Sequence, residues 1–296
     1  DPVTDPCSEA IYIRDEETGE YWTPTAAPIR EATAYRARHG AGYTSFEHNS
    51  HGIEQNVTVF VPMDDDGGKA IKLQKLTLKN DTSRTRKISV TYYAEWTLGE
   101  SRELSQAHIV SKWDEDCSAL MAQNHYNQDY GNRVAFAAMS LPATSFTSDR
   151  SIFIGRNRSL SNPAALERTK LSHRIGAGLD PCAALQTVVK ILPGETISVT
   201  CMLGETASKE DVRSIVYSYR DELQVSGALE QTKLWWDEKL GVIEVETPEL
   251  STNFMVNRWL LYQNLSCRIW GRSGFYQSSG AYGFRDQLQD STSLIY

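Results

Sequence analysis

The densest gathering of groups able to hold a polyhydroxylated ligand lies near the C-terminus, in Tyr276-Gln277-Ser278-Ser279-Gly280-Ala281-Tyr282-Gly283-Phe284-Arg285-Asp286-Gln287-Leu288-Gln289-Asp290. A sugar ring presents vicinal hydroxyls that both donate and accept. Arg285 beside Asp286, with Gln289 and Asp290 one turn on, supplies planar donors and acceptors for that pattern, and Tyr or Phe supplies a flat apolar face. The plainer alternative is a capped, solvated helix start with an Arg-Asp ion pair. Asp286 and Asp290 are four apart and would share one helix face. Two carboxylates approaching from one side suit binding better than acid chemistry, which needs them to flank the bond being cut.

Other constellations are weaker. Glu47-His48-Asn49-Ser50-His51 offers metal-ligand types, but in a strand His48 and His51, three apart, point to opposite faces, so hydrogen-bonded strand or turn histidines are expected. Asp64-Asp65-Asp66-Gly67-Gly68 lacks the ligand spacing and distal Glu of a calcium loop and reads as a solvated hairpin turn. Gly176-Ala177-Gly178-Leu179-Asp180-Pro181-Cys182 has neither a dinucleotide fingerprint nor a Lys-Ser/Thr pair, which excludes a phosphate loop, and Cys182 is a poor nucleophile candidate. Five cysteines (Cys7, Cys117, Cys182, Cys201, Cys267) are scattered without a CxxC, so buried reduced thiols are expected rather than a disulfide frame or zinc site.

The elements that must position these groups change character along the chain. Its 296 residues, 40% of them hydrophobic, suffice for one large domain or two ordinary ones. With 30 Lys and Arg against 38 Asp and Glu, the net charge of -8 argues against nucleic acid as a partner. No apolar run is long enough for a membrane span. Neither end carries a start or stop signal: Asp1 is no initiator, and Tyr296 follows Leu294 and Ile295 in a continuing helical pattern. A piece of a longer protein is therefore expected.

From Ala10 to about Leu203 the dominant period is two, as in Ile88, Val90, Tyr92, Ala94, Trp96 and in Ile197, Val199, Cys201, Leu203. Turn chemistry separates the runs, and a phase slip between Leu73 and Leu76 suggests a bulge near Gln74. A large antiparallel sandwich is expected. Period 3.6 then takes over. Ser208 caps a helix striped by Val212, Ile215, Val216, Tyr219 and Leu223. A second helix runs from about Ala228 to Leu240, with Trp235 and Trp236 packing it against its neighbours. Thr247-Pro248-Glu249 starts a third, to about Trp270, whose apolar residues cover most of its circumference, so that it needs partners on several sides.

The segment Gly280–Asp290 resembles a motif of glycoside hydrolase family 94, formerly glycosyltransferase family 36. Arg14–Trp22, Tyr35–Gly40 and Phe46-Glu47-His48 look like the start of that family's sandwich. Gly176–Gln186 and Asn257–Gln263 are most similar to its cyclic β-1,2-glucan synthase branch. The resemblance implies a mainly β protein: a galactose-mutarotase-like supersandwich over 1–205 with carbohydrate binding, a helical linker over 206–246, and the truncated start of an (α/α)6 catalytic barrel over 247–296. It implies inverting phosphorolysis of β-glucan, with inorganic phosphate as co-substrate and no cofactor or metal. Arg285 and Asp286 match the family's pair that holds the glycosyl unit on the non-reducing side of the cleaved bond, and Gln289 and Asp290 complete the motif with supporting contacts. The family's proton donor sits in a later Trp-Asn-Asp segment that does not occur here, so no catalytic residue is assigned. The twelve helices of such a barrel, at about 11 residues each, need roughly 130 residues, more than follow position 247. The expected partners are a β-glucan oligosaccharide and, as a candidate, a second copy of the chain. The expected location is cytoplasmic, with the parent's attachment to a bacterial inner membrane as the variant. Two other classes stay open: a non-catalytic carbohydrate-binding module, and a purely structural sandwich that shapes a neighbouring subunit's site.

Overall fold

The structure is a computed structural model that describes residues 7–64, 67–271 and 283–295. The chain divides into two compact units, one ending at Leu229 and the other beginning at Glu230.

Two antiparallel sheets build the first unit. The five-stranded sheet runs β13 (Ser145–Asp149), β14 (Pro181–Ile191), β9 (Arg86–Glu95), β1 (Glu9–Asp15), β2 (Tyr21–Trp22). The eight-stranded sheet runs β10 (Ile109–Asp114), β11 (Ala119–Asn124), β12 (Val134–Met139), β15 (Thr196–Thr206), β8 (Ile71–Asn80), β5 (Ile53–Phe60), β4 (Tyr43–Ser50), β3 (Tyr35–Gly40). A short hairpin, β6 (Met63–Asp64) with β7 (Gly67–Gly68), sits where the acidic turn was expected; Asp65 and Asp66 lie outside the described residues. Ile11, Ile13, Ile88, Val90, Tyr92 and Leu185 from one sheet meet Ile53, Leu76, Leu78, Leu120 and Val199 from the other, forming the core between them. Burying each large apolar side chain contributes roughly 1.5–3 kcal/mol.

The outer faces are covered as well. Helices α1 (Arg102–Ser105) and α2 (Arg150–Ile154) are single turns. Phe153 and Ile154 of α2 pack with Tyr12, Tyr93 and Leu166 outside the five-stranded sheet. Helix α3 (Lys209–Ser218) lays Val212 and Val216 on Phe60, Leu73, Phe136 and Met202 of the eight-stranded sheet. This double coverage explains the phase slip in β8. Ile71 and Leu73 face the helices, whereas Leu76 and Leu78 face the other sheet. The register with β5 and β15 is unbroken from Leu73 to Asn80, so the expected bulge at Gln74 is not there.

Ser208 caps α3 as expected, its Oγ accepting from the Asp211 N–H at 3.1 Å. Helix α4 (Glu222–Leu240) begins earlier than Ala228, because Asp221 Oδ1 accepts from the Leu223 N–H (2.9 Å) and Gly227 is carried inside the helix. Leu223, expected on the α3 stripe, opens α4 and is exposed.

In the second unit a helical run extends from Leu250 to Trp270. Helices α5 (Leu250–Phe254) and α6 (Leu260–Gln263) alternate with π-helical turns over Met255–Trp259 and Asn264–Trp270. Glu249, rather than Thr247, caps it by accepting from the Ser251 N–H, while Thr247 is tied to Asn253 (2.6 Å). Trp236 is buried and meets the rings of Trp235, Tyr262 and Trp270 at 5.1, 4.7 and 5.4 Å. Leu250, Phe254 and Leu260 are exposed. Helix α7 (Phe284–Thr292) ends the described chain. No helix among the described residues is long and apolar enough to cross a membrane.

Candidate functional site

Gly283 precedes α7, and its N–H donates to Gln287 Oε1 (2.7 Å) while its carbonyl accepts from the Gln287 N–H (3.1 Å). That closes the first turn and fixes the direction in which the next residues project. Arg285, Asp286 and Gln289 are exposed, and their side chains make no hydrogen bond or ion pair among the described residues. Arg285 and Gln289, four apart, share a face of the helix. Asp286 lies in the first turn, where the helix dipole favours a carboxylate. Asp290 is placed differently. Its Oδ2 accepts from Arg268 Nε (2.9 Å), and its carbonyl accepts from Asn264 Nδ2 (2.7 Å). Asp290 thus fastens α7 to the preceding helical run, and three of the four motif residues have no side-chain partner among the described residues. Residues 276–282 of the motif lie outside the described residues.

Arg268 and Asn264 were not singled out from sequence. The signal was there: two polar residues four apart in the helix, which places both on one side of it. What sequence could not supply was the partner, 22 residues away.

In the first unit His48 and His51 are hydrogen-bonded strand and turn histidines, as expected, but they do not point to opposite faces of one strand. His51 lies beyond the end of β4, in a two-residue turn with Gly52 where both φ angles are positive (53° and 72°). That turn brings His51 back beside His48. Both rings converge on one carboxylate: His48 Nε2 on Glu31 Oε2 at 2.8 Å, and His51 Nε2 on Glu31 Oε1 at 2.7 Å. His48 stacks on Tyr35 (3.8 Å) and His51 on Trp22 (4.1 Å). Burial alone would raise the Glu31 carboxyl. The hydrogen bonds from His48, Ser50 and His51 outweigh it and hold the group below its ordinary value. Among the described residues no three His, Cys, Asp or Glu side chains are grouped to hold a metal ion.

A cleft of about 840 Å³ opens beside α2. Among the residues that line it, Arg150, Glu95 and Asp180 belong to a ring of two cations and two anions that Arg102 completes, and Arg156 and Arg158 line it as well. Arg150 Nε meets Glu95 Oε1 (2.7 Å) and its Nη1 meets Asp180 Oδ2 (3.3 Å), while Arg102 bridges the same two carboxylates. Tyr93 donates to Glu95 (2.8 Å). The ring neutralises itself and spends its donors internally, which is the behaviour of a structural ion network. Cys182 is buried, and burial pushes its thiol well above the ordinary value, so it is no nucleophile. Cys117 and Cys201 are buried too, but Cys7 and Cys267 are exposed, which corrects the expectation of five buried thiols.

A family model described as "Glycosyl hydrolase 94, supersandwich domain" matches residues 1–222, and one described as "Glycosyl hydrolase 94 superfamily, catalytic domain" matches residues 235–296. The chain is 38% identical to cyclic beta-(1,2)-glucan synthase NdvB of Rhizobium meliloti (strain 1021), over 100% of the chain and 10% of that protein. It is 28% identical to N,N'-diacetylchitobiose phosphorylase of Vibrio proteolyticus and 28% identical to solabiose phosphorylase of Paenibacillus borealis. Each of those alignments covers 96% of the chain and 36% of the relative. The chain therefore spans between 10% and 36% of the length of these relatives.

Proposed function

The chain belongs to the glycosyl hydrolase 94 family, and on that premise we propose that it is part of an inverting glycoside phosphorylase or glycosyltransferase acting on β-glucan, β-1,2-linked as in the cyclic glucan synthase branch. The observation that carries this reading is the 38% identity to a β-1,2-glucan synthase along the entire chain. The proposed division is a sandwich over 1–205, a linker over 206–246 and the opening of the catalytic barrel from 247.

In this reading Arg285 and Asp286 grip hydroxyls of the glycosyl unit on the non-reducing side of the scissile bond, with Gln289 beside them and Asp290 holding α7 in place. Their support is that the first three are exposed and their side chains make no hydrogen bond among the described residues. A phosphate oxygen attacks the anomeric carbon as the glycosidic C–O bond breaks. A carboxylic acid gives its proton to the leaving oxygen, and the sugar 1-phosphate forms with inverted configuration. The 296 residues contain no Trp-Asn-Asp segment to supply that acid. On their own they release no glucose 1-phosphate from β-1,2-glucan and phosphate.

The test is Arg285→Ala in the full-length enzyme. A charged hydrogen bond contributes about 1.5–3 kcal/mol, so kcat/KM falls roughly ten- to a hundredfold. Tm is unchanged, because Arg285 is exposed and unpaired among the described residues. Activity within twofold of wild type sinks the assignment.

A further inference from the structure

We propose that the loop joining β11 to β12 is a second glucan-binding site, an aromatic platform made by Tyr126 and Tyr130. Scattered exposed rings need no explanation. These two lie four residues apart in one loop and are 75% and 67% exposed. The loop that carries them is also locked. Asn124 Oδ1 accepts from the Tyr126 N–H (3.1 Å), and Asn127 Oδ1 accepts from both the Asp129 and Tyr130 N–H groups (3.0 Å each). The Tyr130 carbonyl accepts from the Arg133 N–H at 2.9 Å. At Gly131 a Cβ would stand 2.5 Å from the Asn127 carbonyl oxygen, so the chain closes on itself there in a way only glycine permits. His108, from a separate segment, stacks against the Tyr126 ring (4.3 Å, 15° between planes), which stays largely exposed.

The chemistry of the loop selects the ligand. Residues 124–132 read Asn-His-Tyr-Asn-Gln-Asp-Tyr-Gly-Asn, with no Lys and no aliphatic side chain, and Arg133, the last residue before β12, is committed to Glu205 through two 2.6 Å contacts. With its one arginine neutralised by Glu205, it does not suit an anion. Without aliphatic groups it does not suit an apolar protein surface. Gln128, Asp129 and Asn132 are exposed, and their side chains make no hydrogen bonds among the described residues. Flat apolar rings bordered by amide and carboxylate groups match a neutral sugar, whose C–H face stacks on the ring while its hydroxyls pair at the rim. Locking the loop beforehand lowers the entropic cost of binding. The choice of glucan as the sugar rests on the function proposed above; the site shares no residue with α7.

The experiment is calorimetric titration of the 296-residue chain with β-1,2-glucan oligosaccharides, with cello-oligosaccharides for comparison. Wild type binds, and Tyr126→Ala and Tyr130→Ala each weaken binding roughly tenfold with unchanged Tm, since both rings are exposed. Gly131→Ala weakens it too, by unlocking the loop. The proposal is overturned if wild type shows no binding up to about 10 mM oligosaccharide, or if both tyrosine variants bind as wild type does. Binding abolished by Arg285→Ala alone also overturns it while leaving the α7 assignment standing. Conversely, full-length activity indifferent to Arg285→Ala, with binding that still follows the tyrosines, removes the α7 assignment and leaves this one.

Discussion

Arg86→Ala is the sharpest test of how the sandwich is held together. The Arg86 guanidinium meets Asp15 Oδ2 through Nε (3.1 Å) and Nη2 (2.6 Å), and its Nη1 donates to the His51 carbonyl (2.6 Å). Both side chains are almost wholly buried, at 4% and 2% exposure. One guanidinium thus joins β1, β9 and the β4–β5 turn. Removing one partner of such a pair costs about 3–5 kcal/mol, because a charge is left buried without compensation. Asp15 keeps the N–H groups of Glu17 (2.8 Å) and Thr18 (3.4 Å) and the longer contact with Arg84 Nη2 (3.5 Å), which puts the expected loss at the low end, about 3 kcal/mol. At about 2–4 °C per kcal/mol for a unit of this size, Tm falls by roughly 6–12 °C in scanning calorimetry. The pH dependence carries a second signature. Burial would raise the Asp15 carboxyl, but the Glu17 N–H and Arg86 outweigh it and hold the group below its ordinary value. Its contribution is therefore complete above the ordinary aspartate range and is lost as pH falls through the lowered folded value. The gap between wild type and variant should be widest near neutrality and close in acid. A Tm within about 1 °C of wild type, or a gap that pH does not alter, refutes the reasoning.

Three further outcomes are expected. Glu31→Gln destabilises the sandwich by about 1–3 kcal/mol in urea at neutral pH, since two rings lose their common carboxylate. Because that carboxyl is held low, the loss shrinks as pH falls through its folded value; a loss that persists in acid contradicts this account. Trp236→Ala costs the helical unit roughly 3–5 kcal/mol by fluorescence-detected unfolding, and a cost under about 1 kcal/mol would show that the ring cluster does not hold it together. A thiol reagent titrates Cys7 and Cys267 in the native protein and reaches Cys117, Cys182 and Cys201 only on unfolding; burial pushes the Cys117 thiol up to about 12. Rapid native labelling at Cys117 would contradict its placement.

The sandwich was legible because its strands bury alternate residues, and Ile88, Val90, Tyr92 and Ala94 all reach the core between the sheets as their spacing implied. Where both faces of a strand are covered, the pattern misleads: Leu73 and Leu76 each point inward, but into different layers. Helix ends were misplaced where a cap was overlooked, as at Asp221. The Arg285-Asp286 segment stood out because its residue types are unusual together. Glu31 did not, because nothing local marks it: its partners are 17 and 20 residues away, brought in by strand pairing and a hairpin turn. Arg268 was hidden likewise, its significance set by Asp290.

The π-helical turns after Leu250 bear on how that helix is to be compared with others. There the Leu260 N–H reaches the Met255 carbonyl and the Gly271 N–H reaches Ser266 (2.9 Å), five residues back instead of four. Each such turn absorbs an additional residue without lengthening the helix by a full step. A wheel drawn at 100° per residue therefore smears its greasy stripe, which is part of why the apolar positions seemed to encircle it. Loss of one amino acid near Asn264 in a related chain would convert π to α and swing everything downstream by about 100°. Arg268 would then lose its aim at Asp290, and α7 its mooring. Length in this segment, more than residue identity, should be what its kin hold constant.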